Sequence, residues 1–547
     1  MSKTISELFA KEKIAFDECG EVVQSAPADI EAKLNAAFEE RKNRILNSES
    51  EWKLGEGGFV RYISSTEGDD ANDGLTPETA WKTVDKLHLA QESKTVRAGD
   101  VVLFKRGDEW HAKIKADFGI TYSAYGEGPK PRILASTEAD RPDQWKETDV
   151  KGVYKFQGVI DLPHDPGNIV FNDGECYGMR VVKLMEEDFT MPAGSDDVVS
   201  NGIDKWLFPP REFKDYKDLG KIAADIPVAD LMYYFDRTTE ELFLYCRTGN
   251  PAKRFWSIEI CTRGHGVTGK SGVTLDNLCI RYTGSHGVGA GSCTNFTIRN
   301  CEIGWIGGSV QHTRDNRIVR YGNGIEIFGA ADGFWAYNNY VYQCFDCGPT
   351  VQWQGRLEEG TKKIAKNIDF YGNALCEAAL EVWYTTREPA TETTYAQLIN
   401  CKLYDNLVTG SGTGWKAYNH YKFEWCAFYG GGETKADYIN CYIEDNAFWG
   451  ERRHILKSVP TTTKGNGFNW RNNIIIHPLN EGSIGFLGED SANGKGANKQ
   501  FWYSEKALKK LTENGTFGKN YFYYDRIGDN KNRRKFILNN VKLFDED

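Results

Sequence analysis

The sequence predicts an all-β chain wound as a solenoid of parallel strands, with a helical cap at its start and a β-rich insertion before its middle. Three observations predict it. From about Val273, the segments VTLDNLCI, FTIRNCEI, FWAYNNYVY, IDFYGNAL, LYDNLVTG, YIEDNAFW and NWRNNIII share one shape: a short β-run, an Asn, another β-run. The Asn residues fall at Asn277, Asn300, Asn338, Asn373, Asn406, Asn446 and Asn473, with spacings of 23 to 40 residues. Asn tolerates left-handed backbone and bonds its own chain, so it suits a tight bend between strands. Irregular repetition of one supersecondary unit is what stacked coils with loops of varying length produce. Second, Cys279, Cys301, Cys344, Cys376, Cys401 and Cys441 fall beside these bends, as expected of a stack of small inward side chains. Third, 56 glycines accompany 13% aromatic residues, which suits turns that need positive φ and a groove that needs flat surfaces.

The elements follow in chain order. Residues 1–55 read as a helical cap, because ADIEAKLNAAFEERKNRIL carries Ile30, Leu34, Ala37, Phe38 and Ile45 at helical spacing. An open end rung would template aggregation, and an amphipathic helix covers such an edge. Residues 56–164 read as the first coils. RYISSTEGDDANDGLTPETAW, Arg61 to Trp81, is a short strand, an acidic turn cluster and a Pro-initiated helix entry, and RAGDVVLFKRGDEW follows at Arg97 to Trp110. Residues 165–260 read as a hairpin-rich insertion containing WLFPPREF and LMYYFDRTTEELFLYCR. Residues 261–480 are the main solenoid, and 481–547 a C-terminal closure with a helix at SEKALKKLTEN.

Bulk properties narrow the function classes. The N-terminus has no apolar core of a secretory signal, and no run approaches 18 apolar residues. Thirteen cysteines, an odd number without small-domain spacing, fit reduced thiols and a cytoplasmic location, with no disulfide among the six bend cysteines. A net charge of −11 argues against nucleic acid as a partner. Membranes are not expected as partners either, and homo-oligomerisation is left open. Cys344 and Cys347 form a lone CxxC, which without a second pair does not make a zinc site. No metal and no cofactor is expected.

Candidate chemistry sits on three short strands, GNGIEIF, PTVQWQ and ALEVWYTT. Aligned as successive rungs, they give a ladder of Glu326, Gln352 and Glu381. Two rungs at the strand spacing would part the glutamates by about 9–10 Å. That lies at the upper edge of the roughly 6.5–9.5 Å that an inverting glycosidase needs. Asp346, just before Gln352, narrows the gap to either. The expected catalytic set is therefore Glu326, Asp346 and Glu381. His286, Gln311, His312, Gln352, Trp353, Trp383, Tyr384, Trp415 and Lys416 surround it, and rings beside carboxylates and amides suit a sugar site.

The opening strand with its AGD turn resembles that of right-handed parallel β-helix proteins of the pectate-lyase-like superfamily. With the insertion that ends in FLYCRTGNP…SIEI and the ladder beyond it, Phe59 to about Tyr384 is similar to glycoside hydrolase family 120, β-xylosidases whose β-helix is interrupted by a β-rich insertion. The resemblance implies that fold and action on oligosaccharides. It places the family's acid/base Glu, in a Val-Glu-Val context, on Glu381. The family's nucleophilic Asp lands on Gln352, an amide, so this chain would use Glu326 or Asp346 instead. DLPHDPGN, with His164 and Asp165, resembles the Asp-Pro-His-Asp signature of mannuronan C5-epimerases, but its place before the insertion reads as a turn.

The expected function is a glycoside hydrolase acting by carboxylate acid/base catalysis. A polysaccharide lyase or uronate epimerase is the alternative; it needs a cation for the substrate carboxylate, and Arg320 and Lys416 are the nearest. A non-catalytic carbohydrate-binding solenoid is the second alternative.

Overall fold

The structure is a computed structural model that describes residues 27–158, 165–181, 213–225, 230–262, 264–314, 317–353, 359–378, 380–386, 393–415, 426–430, 437–450, 454–458, 468–477, 483–486 and 521–524. It is mostly β, and three parallel sheets dominate it. The chain visits sheets A, B and C in rotation. Val101–Lys105 lies in A, Glu109–His111 in B, Ile114–Ala116 in C, Thr121–Tyr125 in A and Arg132–Leu134 in B. The rotation resumes with Val267–Gly269 in C and continues through Cys293–Arg299 (A), Glu302–Ile306 (B), Ile325–Phe328 (C), Ala331–Tyr337 (A), Tyr340–Cys344 (B) and Pro349–Trp353 (C). Each strand pairs in parallel with the strand one rotation later, as Ile325 with Pro349 and Phe334 with Ile368.

Parallel register stacks side chains in columns. Leu275, Ile298, Ala336, Phe370, Leu403 and Ile443 from sheet A meet Ile280, Ile303, Val341, Leu375, Val408 and Phe448 from sheet B in one buried interior. β-Branched and aromatic residues fit such a pleated surface, and burying each stabilises by roughly 1.5–3 kcal/mol.

The A-to-B bend carries two adjacent columns. Asn277, Asn300, Asn338, Gly372, Asp405, Asp445 and Asn472 hold positive φ. One residue later, Asn339, Asn373, Asn406, Asn446 and Asn473 form a buried ladder. Each of the first four donates from Nδ2 to the next Oδ1, at 2.9–3.1 Å, and each Oδ1 also accepts a backbone N–H. All seven expected Asn residues are at bends, but they serve two purposes. Asn338 belongs to the left-handed column, and its neighbour Asn339 takes the ladder position.

Two expectations change. The helix Pro27–Leu46 does not close an end rung. It runs lengthwise along the stack: Asn35 meets Trp449, Arg41 ion-pairs with Asp405 at 3.0 Å, and the chain beyond it places Ser48 on Asn277. The helix Val84–Glu92 closes the first rungs instead, sending Val84, Leu87 and Ala90 into the interior with Phe104 and Trp110. Four of the six bend cysteines point inward. Cys279 and Cys376 lie on the outer side of sheet B, Cys279 beside Glu302 and Cys376 among Tyr340 and Tyr342. All six are free thiols in the structure.

The insertion begins near Ser136 rather than residue 165. Ser136–Glu138 and Ile169–Phe171 pair antiparallel with Ile258–Cys261, and Trp145–Glu147, Val153–Phe156, Glu241–Tyr245 and Met232–Asp236 build a second sheet. Early β-runs look alike whichever sheet they join, so the pairing of Val153–Phe156 with a strand some 90 residues later was hidden. The Thr262 hydroxyl donates to the Ala135 carbonyl at 3.1 Å and pins the two ends together. The expected helix at SEKALKKLTEN, residues 1–26 of the cap, and WLFPPRE lie outside the described residues. Among the described residues, no helix is long and apolar enough to cross a membrane.

Candidate active site

The candidate site forms where chain leaves sheet B and enters sheet C. Gly266, Gly287, Gly324 and Gly348 stand at successive entries, and the N–H groups of Ile114, Val267, Val288 and Ile325, each opening a C strand, donate to the carbonyls of these glycines in turn, as Val288 to Gly324 and Ile325 to Gly348, both at 2.9 Å. A Cβ on Gly287 would lie 2.6 Å from the Gly324 oxygen, so the spacing admits only glycine there.

The residue before each entry glycine links the turns. His265 Nδ1 accepts the His286 N–H at 3.2 Å, His286 Nδ1 accepts the Asn323 N–H at 3.0 Å, and Asn323 Oδ1 accepts the Cys347 N–H at 2.9 Å. The rings of His265, His286 and Tyr321 stack at 4.9 and 4.8 Å. Burial and then the neighbouring His265 hold the His286 imidazole well below its ordinary pKa, so it is neutral with its proton on Nε2.

Glu326 stands two residues past its entry glycine. Ile325 and Ile327 turn into the interior, so strand alternation turns Glu326 outward, under the turns of neighbouring rungs, where it is 2% exposed. Asn323 Nδ2 donates to Oε2 at 2.5 Å and Gln352 Nε2 donates to Oε1 at 2.7 Å. Burial pushes the carboxyl pKa up, the two amide donors pull it down, and nearby Asp346 raises it again; the outcome is about 8. Asp346 is itself buried, and its Oδ2 accepts the Gly322 N–H at 3.1 Å. The site thus holds a carboxyl that keeps its proton at neutral pH beside a second carboxyl.

The expected ladder has a different register. Glu326 pairs with Thr350, and Thr350 with Trp383, while Gln352 pairs with Phe328 and Thr385. Glu381 is therefore two residues behind the Glu326 register on the strand two rungs away. Gln352 nonetheless reaches Glu326 diagonally. The side chains of Trp353, Glu381, Trp383 and Tyr384, and residues His164 and Lys416, lie outside the described residues.

The remaining candidates divide. Gln311 is committed to holding loops, its Nε2 donating to the Gly284 carbonyl and to Ser309 at 2.9–3.0 Å. His312 is exposed, 6.2 Å from the Tyr321 ring. Trp415 is fully buried: its ring packs 5.4 Å from Phe345 and its indole N–H donates to the Gln343 carbonyl, so it presents no face to a ligand. Asp165 ties the insertion to the hairpin of Val310–Arg314 and Arg317–Arg320, accepting the Val310 N–H and pairing with Arg320 at 2.5 Å. Burial opposes its charge, but Arg320 and Arg180 outweigh burial and hold its pKa below the usual carboxylate value.

Asn323, His265, Tyr321 and Phe328 were not singled out from sequence. Phe328, in register with Gln352 and on the outward face of Glu326, is 44% exposed. The glycine that recurs before each C strand was the available signal for the turn residues.

No protein-family model matches the chain. A stretch of 114 residues is 30% identical to a lacto-N-biosidase of Bifidobacterium longum subsp. longum; it spans 19% of this chain and 7% of that protein's length. Among solved structures, XylC in complex with xylose is similar at TM-score 0.44 and 11% identity over 78% of this chain and 69% of that one. A structure titled glycoside hydrolase reaches 0.43 at 10% identity, over 88% and 98%. The GH136 lacto-N-biosidase of Eubacterium ramulus reaches 0.36 at 12% identity, over 91% and 71%.

Proposed function

We propose that this chain is a glycoside hydrolase acting on oligosaccharides, that sheets A, B and C are wound as a right-handed parallel β-helix, and that the reaction occurs on the outer side of sheet C. The observation that carries the reading is Glu326. A departing sugar alkoxide needs a proton, and a buried carboxyl whose pKa is raised to about 8 still holds one at neutral pH. Glu326 is the general acid. Asp346 supplies the second carboxylate, as nucleophile or as the base that activates water, and Glu381 is the reserve candidate for that role. Gln352, His286, His312 and the half-exposed ring of Phe328 offer hydrogen bonds and an apolar face to the sugar. The partial likeness to a protein named lacto-N-biosidase agrees in reaction class.

The lyase alternative needs an unprotonated base and a cation for a uronate. Glu326 holds its proton, and Arg320 already pairs with Asp165. Incubation with a panel of aryl glycosides and uronate polymers tests the reading: release of aglycone supports it. An ultraviolet-absorbing unsaturated product without aglycone release would assign the site to a lyase.

A further inference from the structure

The rings of His265, His286 and Tyr321 form a column at the entries to sheet C, and the first two rings repeat one relation. His265 Nδ1 accepts the His286 N–H, and three residues beyond His286 stands Gly289. His286 Nδ1 accepts the Asn323 N–H, and three residues beyond Asn323 stands Glu326. Gly289 and Glu326 are register partners on the adjacent strands Val288–Ala290 and Ile325–Phe328. The two imidazoles stack with their planes 25° apart. The His265 ring lies across Gly289, where a Cβ would meet its Cδ2 at 2.9 Å and its Nε2 at 3.1 Å. Moved one rung along the stack, the same relation turns the Nε2 edge of His286 towards the side chain of Glu326.

That edge is what remains of the His286 ring for a ligand. His265 covers one face and Tyr321 the other, and Nδ1 is engaged by the Asn323 N–H. Because Nδ1 accepts, the neutral ring carries its proton on Nε2, where it donates and cannot accept. Both Glu326 oxygens take their donors from Asn323 and Gln352. Among the described residues no group accepts from His286 Nε2, and the residue keeps 7% of its surface open. A donor held by rings on both faces and by a backbone link is built to test for an oxygen, since a ligand without one leaves the N–H unmet.

We infer that His286 is a specificity-determining residue that donates from Nε2–H to an acceptor oxygen, hydroxyl or acyl, of the sugar unit lying against Glu326. It orients the sugar without bringing a charge, because burial and then His265 hold the imidazole neutral.

The inference rests on the site of the glycosidase reading, and the two fail separately. His286→Asn sets an amide oxygen near the place of Nδ1, keeping an acceptor for the Asn323 N–H while removing the outer donor. His286→Gln reaches further, setting an N–H near the place of Nε2 while giving up the link. On the aryl glycoside that the wild type hydrolyses fastest, His286→Asn should lose about tenfold in kcat/KM, and His286→Gln should recover it to within about threefold. The reverse order would reduce His286 to a structural link and overturn the inference. A second readout needs neither turnover nor a variant that folds. In 15N-histidine-labelled protein the His286 ring, assigned by nuclear Overhauser contacts to the Tyr321 ring, should show a bare Nδ1 and a protonated Nε2 at neutral pH. The Nε2–H signal should shift when aryl thioglycosides, which resist hydrolysis, are titrated in. A proton on Nδ1, or an Nε2–H that stays put through the whole thioglycoside series, would overturn the inference. If the wild type hydrolyses no glycoside but the Nε2–H signal shifts with a thioglycoside, the donor assignment stands and the glycosidase reading fails.

Discussion

Gln352 Nε2 lies 2.7 Å from Glu326 Oε1, although the backbone sets Gln352 beside Phe328 and sets Thr350 beside Glu326. The contact is diagonal, across one rung and two residues. It explains how a misplaced register still named two side chains that the structure brings together. It also gives Glu326 a hydrogen-bonded, buried setting, in which a carboxyl holds its proton.

That setting has a stability consequence. The folded pKa of Glu326, about 8, lies above the ordinary 4.5, so the folded chain binds the extra proton and the unfolded chain does not. The contribution is full below about pH 4.5 and is lost as pH rises through 8. Glu326→Gln cannot ionise and escapes the loss. Its stability relative to wild type should grow between pH 4.5 and 8, to on the order of 4 kcal/mol, read from urea midpoints across pH. A difference that stays flat with pH would show an ordinary carboxyl at Glu326.

The Asn columns predict opposite outcomes for adjacent residues. Asn339 is buried, donates to the Ile298 carbonyl and to Asn373 Oδ1, and accepts the Cys301 N–H. Asn339→Ala should cost about 2–3 kcal/mol, because three partners are left unmet in the interior. Asn338 holds φ 53°, which glycine adopts freely, so Asn338→Gly should change stability by less than about 1 kcal/mol. Chemical unfolding of the pair checks this, and comparable losses at both positions would contradict the two-column arrangement.

Phe328 should act on binding rather than chemistry. If its exposed ring meets the CH face of a sugar, Phe328→Ala should raise KM about tenfold and leave kcat within about twofold, since such contacts are worth roughly 0.5–1.5 kcal/mol. A fall in kcat at unchanged KM would place the ring against the reacting bond instead.

The sequence carried the rotation of the chain because Asn recurs at one bend and β-branched residues flank it. Its register was harder to read. Asn338 and Asn339 are identical letters with different work, and only the carbonyl geometry separates them. GNGIEIF and PTVQWQ align two ways; anchoring on Gly324 and Gly348, the entry glycines of two successive turns, gives the observed pairing of Glu326 with Thr350. Trp415 read as a sugar platform because composition cannot distinguish a fully buried aromatic packed on Phe345 from a half-exposed one such as Phe328. Asp165 belonged to a recognisable tripeptide, yet its partner Arg320 lies 155 residues away on a hairpin whose position no local pattern reveals.

If Glu326 delivers the proton to the leaving group, its removal is felt most where the leaving group is poorest. Turnover of Glu326→Gln across glycosides of graded leaving-group acidity tests it most directly. Loss should be about 10²–10⁴-fold on poor leaving groups such as alkyl glycosides, and should shrink towards none on strongly activated aryl glycosides, which depart without a proton. Asp346→Asn should lose activity whatever the leaving group. A Glu326→Gln loss that does not depend on the leaving group, or a graded loss in Glu381→Gln instead, would contradict the assignment.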